Sequence, residues 1–193
     1  LLFCQQPFTS VLGSSNLKKL RYAWVWEKTL ATGFLNARRM PMKAHEDILV
    51  FYDRLPLYNP IKSEGHKRKV IMAAHRKKCD AGEIYRKYDN YRDYSSTERY
   101  PRSVLRFKTD KQLSYLHSAQ KPVALLEYLI RIYTDENDLV LDFAMGSGSC
   151  ALACRNTGRR FVGIEIDPKI YTTALNRITD EQHPGSMGGH SQL

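Results

Sequence analysis

The feature that most constrains the fold is a strand, a glycine turn, a helix and a second strand in the last third of the chain. An apolar run, Leu139 to Phe143, leads into Gly146 to Gly148, and a helix is predicted from Ser149 to about Asn156. A second apolar run, Phe161 to Ile166, ends near the acidic Glu165. This order is typical of a βαβ unit, which contains two parallel strands. The sequence therefore predicts an α/β fold that binds its ligand beyond the carboxyl ends of these strands.

The residue types around this turn predict an adenosine-containing cofactor. Glycine lets the backbone pass close to a ligand, and the next helix offers unpaired N–H groups at its positive end. Glu165 lies about twenty residues beyond Asp142, where a carboxylate accepts both ribose hydroxyls. Ala151 occupies the third-glycine position of a dinucleotide fingerprint, where alanine is permitted. A nicotinamide or flavin oxidoreductase and a purely structural glycine turn therefore remain open on the residues alone.

The rest of the chain divides into short apolar runs and helical patterns. Strands are predicted at Leu1 to Phe3, Tyr22 to Trp26, Asp47 to Tyr52 and Val104 to Phe107. A first helix is predicted after Phe8, with Val11, Leu12, Leu17 and Leu20 as its apolar residues. Two further helices are predicted from Lys121 to Tyr133 and from Lys169 to Ile178, and a loop from Ala31 to Pro41. Cys150 and Cys154 are four residues apart and are interpreted as packing residues on one helix face.

Positive charge is concentrated in the middle third. The chain carries a net charge of +10, and between Arg54 and Lys111 sixteen Lys and Arg stand against seven Asp and Glu. A concentrated excess of one sign is expected for a surface that binds a polyanion, although a solvated basic insertion stays an alternative. Tyr85, Tyr88 and Tyr91 are interleaved with basic residues. Their spacing suits either a packing stripe or contacts to sugar, phosphate and bases.

Other classes of protein are disfavoured. No run approaches the roughly eighteen apolar residues of a membrane span, and nothing indicates export, so a cytoplasmic location is expected. The four cysteines form no C-x-x-C pair. His66, His75 and Cys79 lack a fourth ligand, and no metal site is predicted.

Three segments of the last third resemble one enzyme family. HSAQKPVALLEYLI (117–130), DFAMGSGS (142–149) and FVGIEID (161–167) are similar to the N6-adenine and N4-cytosine DNA methyltransferases. In the permuted branch of that family, the catalytic region comes first, target recognition lies in the middle and the cofactor motifs come last. The segments WVWEK (24–28) and HEDILVFY (45–52) resemble the hairpin that precedes target recognition. The likeness covers most of residues 1–180.

The resemblance implies a site-specific DNA methyltransferase that uses S-adenosylmethionine on double-stranded DNA, with a bacterial or phage restriction-modification background and a cognate restriction endonuclease as a candidate partner. Adenine N6 is favoured over cytosine N4. The implied fold is a Rossmann-like, parallel-rich sheet with an antiparallel hairpin and an inserted basic region. The implied cofactor-binding residues are His117, Ser118, Gln120, Lys121, Asp142, Phe143, Ala144, Gly146, Gly148, Glu165 and Ile166. The expected DNA-binding residues are Lys67, Arg68, Lys69, Arg76, Lys77, Lys78, Arg86, Lys87 and Arg92.

We expect four parts: an incomplete amino-terminal part of the core (1–54), a basic target-recognition insertion (55–105), the cofactor-binding part (106–180) and a disordered tail (181–193).

The sequence departs from the family at its catalytic motif. The tetrapeptide of Asp, Asn or Ser followed by Pro-Pro and an aromatic is absent, and the nearest match, Asn59-Pro60, lies downstream of the hairpin. We therefore expect an amino-terminally truncated enzyme with no catalytic residues in this chain, and an open strand edge beside the cofactor strand. The alternatives are an inactive DNA-binding remnant of a methylase and a nucleotide-dependent oxidoreductase.

Overall fold

The computed structural model describes residues 1–73, 92–109 and 120–179. These form two compact units, one from residues 1–59, 102–109 and 120–179, the other from 60–73 and 92–101. In chain order the elements are β1 (Leu2–Cys4), α1 (Phe8–Ser15), β2 (Leu20–Thr32), a 3-10 turn (Phe34–Asn36), β3 (Lys43–Phe51), β4 (Lys69–Ile71), β5 (Tyr94–Ser96), β6 (Val104–Phe107), α2 (Val123–Tyr133), β7 (Leu139–Asp142), α3 (Ser149–Thr157), β8 (Arg160–Gly163) and α4 (Pro168–Thr179).

A four-stranded sheet forms one half of the larger unit. Its order is β1-β3-β2-β6, with antiparallel pairing except between β2 and β6, which are parallel. Because side chains alternate along a strand, Trp24 and Trp26 of β2 point into the core together with Ile48 and Val50 of β3. The predicted strands at 22–26, 47–52 and 104–107 are thus confirmed, and the first of them extends to Thr32.

Helix α2 is buried on two faces. Leu125, Leu129 and Ile132 pack in the same cluster as the core side of the four-stranded sheet. Leu126 and Ile130, displaced by one position around the helix, pack with α3 instead. The apolar spacing that predicted this helix is confirmed, and Pro122 occupies its N-cap position. The helix therefore joins the sheet to the segment that follows it.

The predicted βαβ unit is confirmed. Strands β7 and β8 pair in parallel, from Leu139 opposite Arg160 to Asp142 opposite Gly163, with α3 between them in the sequence. Gly158 ends α3 in a left-handed conformation, as its position predicts. Together with the mixed pairing of the four-stranded sheet, this confirms the α/β class.

An apolar run such as Leu139 to Phe143 predicts a buried strand, and this prediction is wrong for β7. Leu139 and Leu141 are 56% and 61% exposed, and Val162, opposite Leu141 on β8, is also exposed. Within the described residues β7 pairs with β8 alone, and these apolar side chains share a face that is open to solvent. Phe3 of β1 packs against the cluster beside Val140, yet β1 and β7 are not paired. Within the described residues the edge of β7 that does not face β8 is thus unpaired, as expected from the missing motif.

The first helix is shorter than predicted. The pattern predicted a helix that reaches Leu20, but α1 ends at Ser15 and Leu17 lies in a turn, 69% exposed. Asn16 is the C-cap, and its carbonyl accepts the N–H of Leu20, which reverses the chain. Leu20 then pairs with Phe51 as the first residue of β2. Sheet pairing thus overrides the helical spacing of the apolar residues.

A buried carboxylate connects two strands to the segment before α2. Glu46 of β3 binds the Lys28 ammonium of β2 at 2.8 Å and the Lys121 ammonium at 2.6 Å. Both ammonium groups lie over the Trp26 ring, at 5.3 and 6.0 Å from its centroid. Burial raises the pKa of Glu46, but hydrogen bonds from Lys121 and Lys28 and their positive charges outweigh it, so that the net pKa is lowered. Glu46 is therefore ionised at neutral pH.

We expect Glu46→Gln to destabilise the larger unit by roughly 3–5 kcal/mol, because it leaves the buried Lys28 ammonium and the partly buried Lys121 ammonium without their carboxylate. Asp53→Asn, which removes the exposed ion pair between Asp53 and Lys19, is the matched control and should cost at most about 1 kcal/mol. Urea unfolding followed by circular dichroism measures both changes.

The lowered pKa of Glu46 determines how the stability of the fold changes with pH. A carboxyl whose folded pKa is lowered stabilises the fold above its unfolded pKa of about 4.3, and this contribution is lost as the pH falls through the folded pKa. The wild type should therefore lose more stability than Glu46→Gln on acidification below pH 4.3. Equal losses in both proteins would contradict the ionic role of Glu46.

Candidate functional site

The predicted acid and the predicted glycine turn meet. The Oε2 atom of Glu165 accepts the backbone N–H of Gly146 at 3.0 Å, and its Oε1 atom accepts the N–H of Asp167 at 3.0 Å. Because β7 and β8 are parallel neighbours, their carboxyl ends lie at one edge, and the residues that follow face each other. Two further hydrogen bonds, from Ile164 to the Asp142 carbonyl and from Met145 to the Ile164 carbonyl, close this edge.

The turn needs glycine for two separate reasons. Gly146 and Gly148 have φ values of +53° and +77°, a region that side-chain-bearing residues rarely adopt. At Gly148 an added Cβ would also lie 3.2 Å from the Ala174 Cβ and 3.3 Å from the Ile178 Cδ1. The backbone at the start of α3 is therefore held both by its conformation and by close packing against α4.

The side chains predicted to surround the cofactor occupy the same edge. Asp142 is half-buried, and its Oδ1 accepts the N–H of Ala144, which fixes the first bend after β7. Phe143 and Ala144 are exposed, and Ile166 is almost wholly exposed beyond β8. The exposed side chains at these positions can make apolar contacts with a ligand that lies over the turn. Two buried residues of the turn, Ser147 and Ser149, lie on the protein side.

Sequence reasoning missed Arg177 of α4. Its Nη1 donates to the Ser147 carbonyl at 3.1 Å and to the Ser149 Oγ at 2.9 Å, and both serines are buried. Met145 was also missed, although its sulfur lies where a Cβ on Gly163 would stand. The one sequence signal for this contact was that Arg177 lies in the helix that follows the second strand of the βαβ unit. No local spacing connects Arg177 with the glycine turn.

The segment before α2 is partly described. Gln120 is buried, and Lys121 places its charge on Glu46. His117 and Ser118, the other two residues predicted from this segment, lie outside the described residues. The structure therefore assigns Lys121 a contact within the protein, which the resemblance did not imply.

The described part of the basic segment forms a small separate unit. Strands β4 and β5 pair in an antiparallel ribbon, and Arg99 donates from Nη2 to the Lys67 carbonyl at 2.6 Å. Lys67, Lys69 and Arg92 are exposed, as is Arg68, which donates to the Ser95 hydroxyl at 3.1 Å. The remaining predicted DNA-binding residues, Arg76, Lys77, Lys78, Arg86 and Lys87, lie outside the described residues.

Two parallel strands, a glycine bend and an acid bound to that bend are the arrangement with which many α/β proteins bind nucleoside-type ligands. The DNA methylase family matches residues 9–176, and the chain belongs to this family. Among the described residues, no helix has the length and apolar character that a membrane crossing requires.

Similar enzymes match over shorter stretches. The type II methyltransferase M.HindIII of Haemophilus influenzae is 36% identical over 81 residues, which are 42% of this chain and 26% of that enzyme. M2.DpnII of Streptococcus pneumoniae is 38% identical over 65 residues, 34% of this chain and 24% of its own length. The chain thus matches about a quarter of the length of these relatives.

Solved structures support the fold over nearly the whole chain. The M1.HpyAVI–SAM complex has a TM-score of 0.62 and 27% identity, and the match covers 92% of this chain and 72% of that one. The cytosine-N4-specific PvuII DNA methyltransferase has a TM-score of 0.56 at 17% identity, covering 91% of this chain and 57% of that one. The latter likeness concerns the fold alone.

We expect Gly148→Ala to destabilise the protein more than Gly33→Ala. Both glycines have positive φ, +77° and +91°, so each substitution costs roughly 1–2 kcal/mol in backbone strain. An added Cβ at Gly33 meets nothing within 4 Å, whereas at Gly148 it crowds α4. Thermal unfolding measures the difference, and equal losses would mean that the contact with α4 does not constrain the turn.

Proposed function

We propose that the chain is the cofactor-binding and DNA-binding part of an S-adenosylmethionine-dependent DNA methyltransferase that modifies an exocyclic amino group, with adenine N6 favoured over cytosine N4. The observation that carries this proposal is the Glu165 carboxylate held at 3.0 Å from the Gly146 N–H, at the edge where β7 and β8 end. Membership of the DNA methylase family and the likeness to a solved SAM complex support it. The preference for adenine comes from the resemblance of the last third.

The residues present fit a sulfonium nucleoside. Each Glu165 oxygen accepts one backbone N–H and keeps lone-pair capacity for a ribose hydroxyl. Gly146 carries no side chain that would cover the turn, and Phe143 and Ile166 are exposed apolar groups beside it. In the proposed function, S-adenosylmethionine supplies the methyl group. Asp142, Phe143, Ala144, Gly146 and Gly148 would line its methionine end, Glu165 would hold its ribose and Ile166 would flank its adenine. His117, Ser118, Gln120 and Lys121 of the preceding segment would cover the methionine side, although the Lys121 ammonium already binds Glu46.

Methyl transfer to an amino group also requires acceptors for its hydrogens. The amine lone pair is delocalised into the base, and the family tetrapeptide supplies a side-chain oxygen and a carbonyl that hold the amine in position. No Pro-Pro pair occurs in the 193 residues. Asn59, the nearest match, donates its N–H to the Ile132 carbonyl at 2.7 Å and its amide to Asp135. Both groups of Asn59 thus donate hydrogen bonds within the protein. We propose that this chain by itself binds the cofactor weakly and does not catalyse methyl transfer.

The second candidate function is a catalytically inactive methylase remnant that binds DNA. The missing tetrapeptide favours it, and the exposed basic residues of the small unit are compatible with it. Plasmid methylation by a longer product of the same reading frame separates the two proposals. Activity would establish the enzyme, whereas an inactive product without the tetrapeptide would favour the remnant. A cognate restriction endonuclease is the partner that we propose for the active enzyme.

We expect calorimetric titration to detect S-adenosylmethionine, weakly, and to detect no NAD. Glu165→Gln should weaken binding by roughly 10- to 100-fold, because a hydrogen bond to a charged acceptor contributes about 1.5–3 kcal/mol. Glu136→Gln, an exposed carboxylate at the turn before β7, is the matched control and should leave binding unchanged. Heat with NAD alone would replace the methylase proposal with the oxidoreductase.

We expect changing Lys67, Arg68 and Lys69 to Ala to weaken binding to duplex DNA of any sequence. If each contacts one phosphate, the slope of log K against log salt concentration should flatten by about 3. Changing the exposed Lys18, Arg131 and Lys169 to Ala removes the same charge elsewhere and is the control. Fluorescence anisotropy at several salt concentrations measures the slope, and equal slopes in both variants would show that the basic segment is a solvated surface only.

A further inference from the structure

The loop that joins β2 to β3, residues 33–42, exposes large apolar side chains. Every residue from Leu30 to His45 is exposed, including Phe34 at 78% and Leu35 at 96%. Met40 and Met42 follow on the same loop and are also exposed. Side chains of this size gain nothing for folding when they stand in water, and several together mark a surface that binds something.

Backbone hydrogen bonds order this loop. Gly33 turns the chain with a φ of +91°, and its carbonyl accepts the Asn36 N–H at 2.9 Å. Ala37 donates to Phe34, and Met40 donates to Asn36, so two successive turns fix the loop. The apolar side chains are thus presented from a defined backbone.

The base of the loop is fixed as well. Strand β2 bulges between Glu27 and Thr32, which pair with His45 and Lys43 of β3, so four residues of one strand face one of the other. A bulge of this kind bends a hairpin and redirects its end. Lys28, the first of these four residues, forms the buried ion pair with Glu46. The hairpin therefore projects the loop from a fixed base.

The charge of the loop restricts its partner. The chain from Lys28 to His45 contains no Asp or Glu, whereas Arg38, Arg39 and Lys43 lie beside the apolar residues. Proteins that kink DNA often combine exposed arginines with protruding apolar side chains. The apolar side chains insert between two stacked base pairs, and the arginines contact the phosphates. A duplex complements both features.

We propose that residues 33–42 are a wedge loop that inserts Phe34 and Leu35 into the base stack of duplex DNA while Arg38 and Arg39 bind the flanking phosphates. The proposal rests on the proposed function for the identity of the polymer and adds a second DNA contact, separate from the basic segment that contains Lys67. Its ligand is a duplex whose stacking is locally weakened, because unstacking then costs less.

The experiment compares a perfect 24-base-pair duplex with the same duplex carrying one central mismatch, by fluorescence anisotropy. The wild type should bind the mismatched duplex several-fold more tightly. The double variant Phe34→Ser, Leu35→Ser should lose this preference and bind both duplexes alike, since base stacking on an inserted side chain contributes roughly tenfold in affinity. The double variant Arg38→Ala, Arg39→Ala should keep the preference and flatten the salt dependence by about 2.

Leu17→Ser with Leu55→Ser removes two apolar side chains of comparable exposure, 69% and 85%, and should leave the preference intact. Unfolding temperatures should agree across all four proteins, because the changed residues are exposed. Equal preference in the wild type and in Phe34→Ser, Leu35→Ser would overturn the wedge loop while leaving the proposed function standing. Binding of neither duplex by the wild type would overturn both. A different result would assign the loop to a lipid surface instead: the wild type binds phosphatidylserine vesicles, and Phe34→Ser, Leu35→Ser loses this binding but keeps the duplex preference.

Discussion

The larger unit depends on the burial of α2 along two faces. One stripe, which includes Leu125 and Leu129, packs with the tryptophans of β2, and the neighbouring stripe, Leu126 and Ile130, packs with Ala153 and Cys154 of α3. The Trp24 indole also donates to the Tyr133 hydroxyl at 2.7 Å, which holds the end of α2 against β2. Among the described residues no backbone hydrogen-bond ladder joins the four-stranded sheet to the β7–β8 pair. Side-chain packing on α2 therefore fixes β7 and β8 relative to the β2–β3 hairpin.

The candidate functional site depends on packing and hydrogen bonds around the glycine turn. The glycine turn is supported from beneath by Arg177 and the buried serines, and from the side by Glu165, so its N–H groups keep one conformation. The Glu46 cluster does the same for the segment before α2, where Lys121 is bound. A turn that is already held in one conformation binds a ligand without a further loss of conformational entropy.

The features that could be predicted from sequence are local ones. The strand, turn and helix around Gly146 follow from a contiguous pattern, and the partner acid follows because a βαβ connection brings Glu165 to the next strand. The Lys28–Glu46–Lys121 cluster could not be predicted, since it depends on the hairpin register that sets Trp26 opposite Glu46. The exposure of Leu139 was missed for a different reason: an apolar strand implies coverage on both faces, but the sequence does not show whether the covering element is present. The end of α1 was missed because pairing of Leu20 with Phe51 outweighs helical spacing.

The bare face of β7 and β8 has a thermodynamic consequence. Leu139, Leu141 and Val162 contact solvent in this fold, and among the strands that the structure describes none pairs with the outer edge of β7, whose backbone groups can therefore pair with a further strand. Any polypeptide that covered this face would bind only the folded chain, and its binding free energy would be added to the stability of the fold. The resistance of this chain to unfolding would then depend on the concentration of that polypeptide, so that assembly and folding would form a single equilibrium.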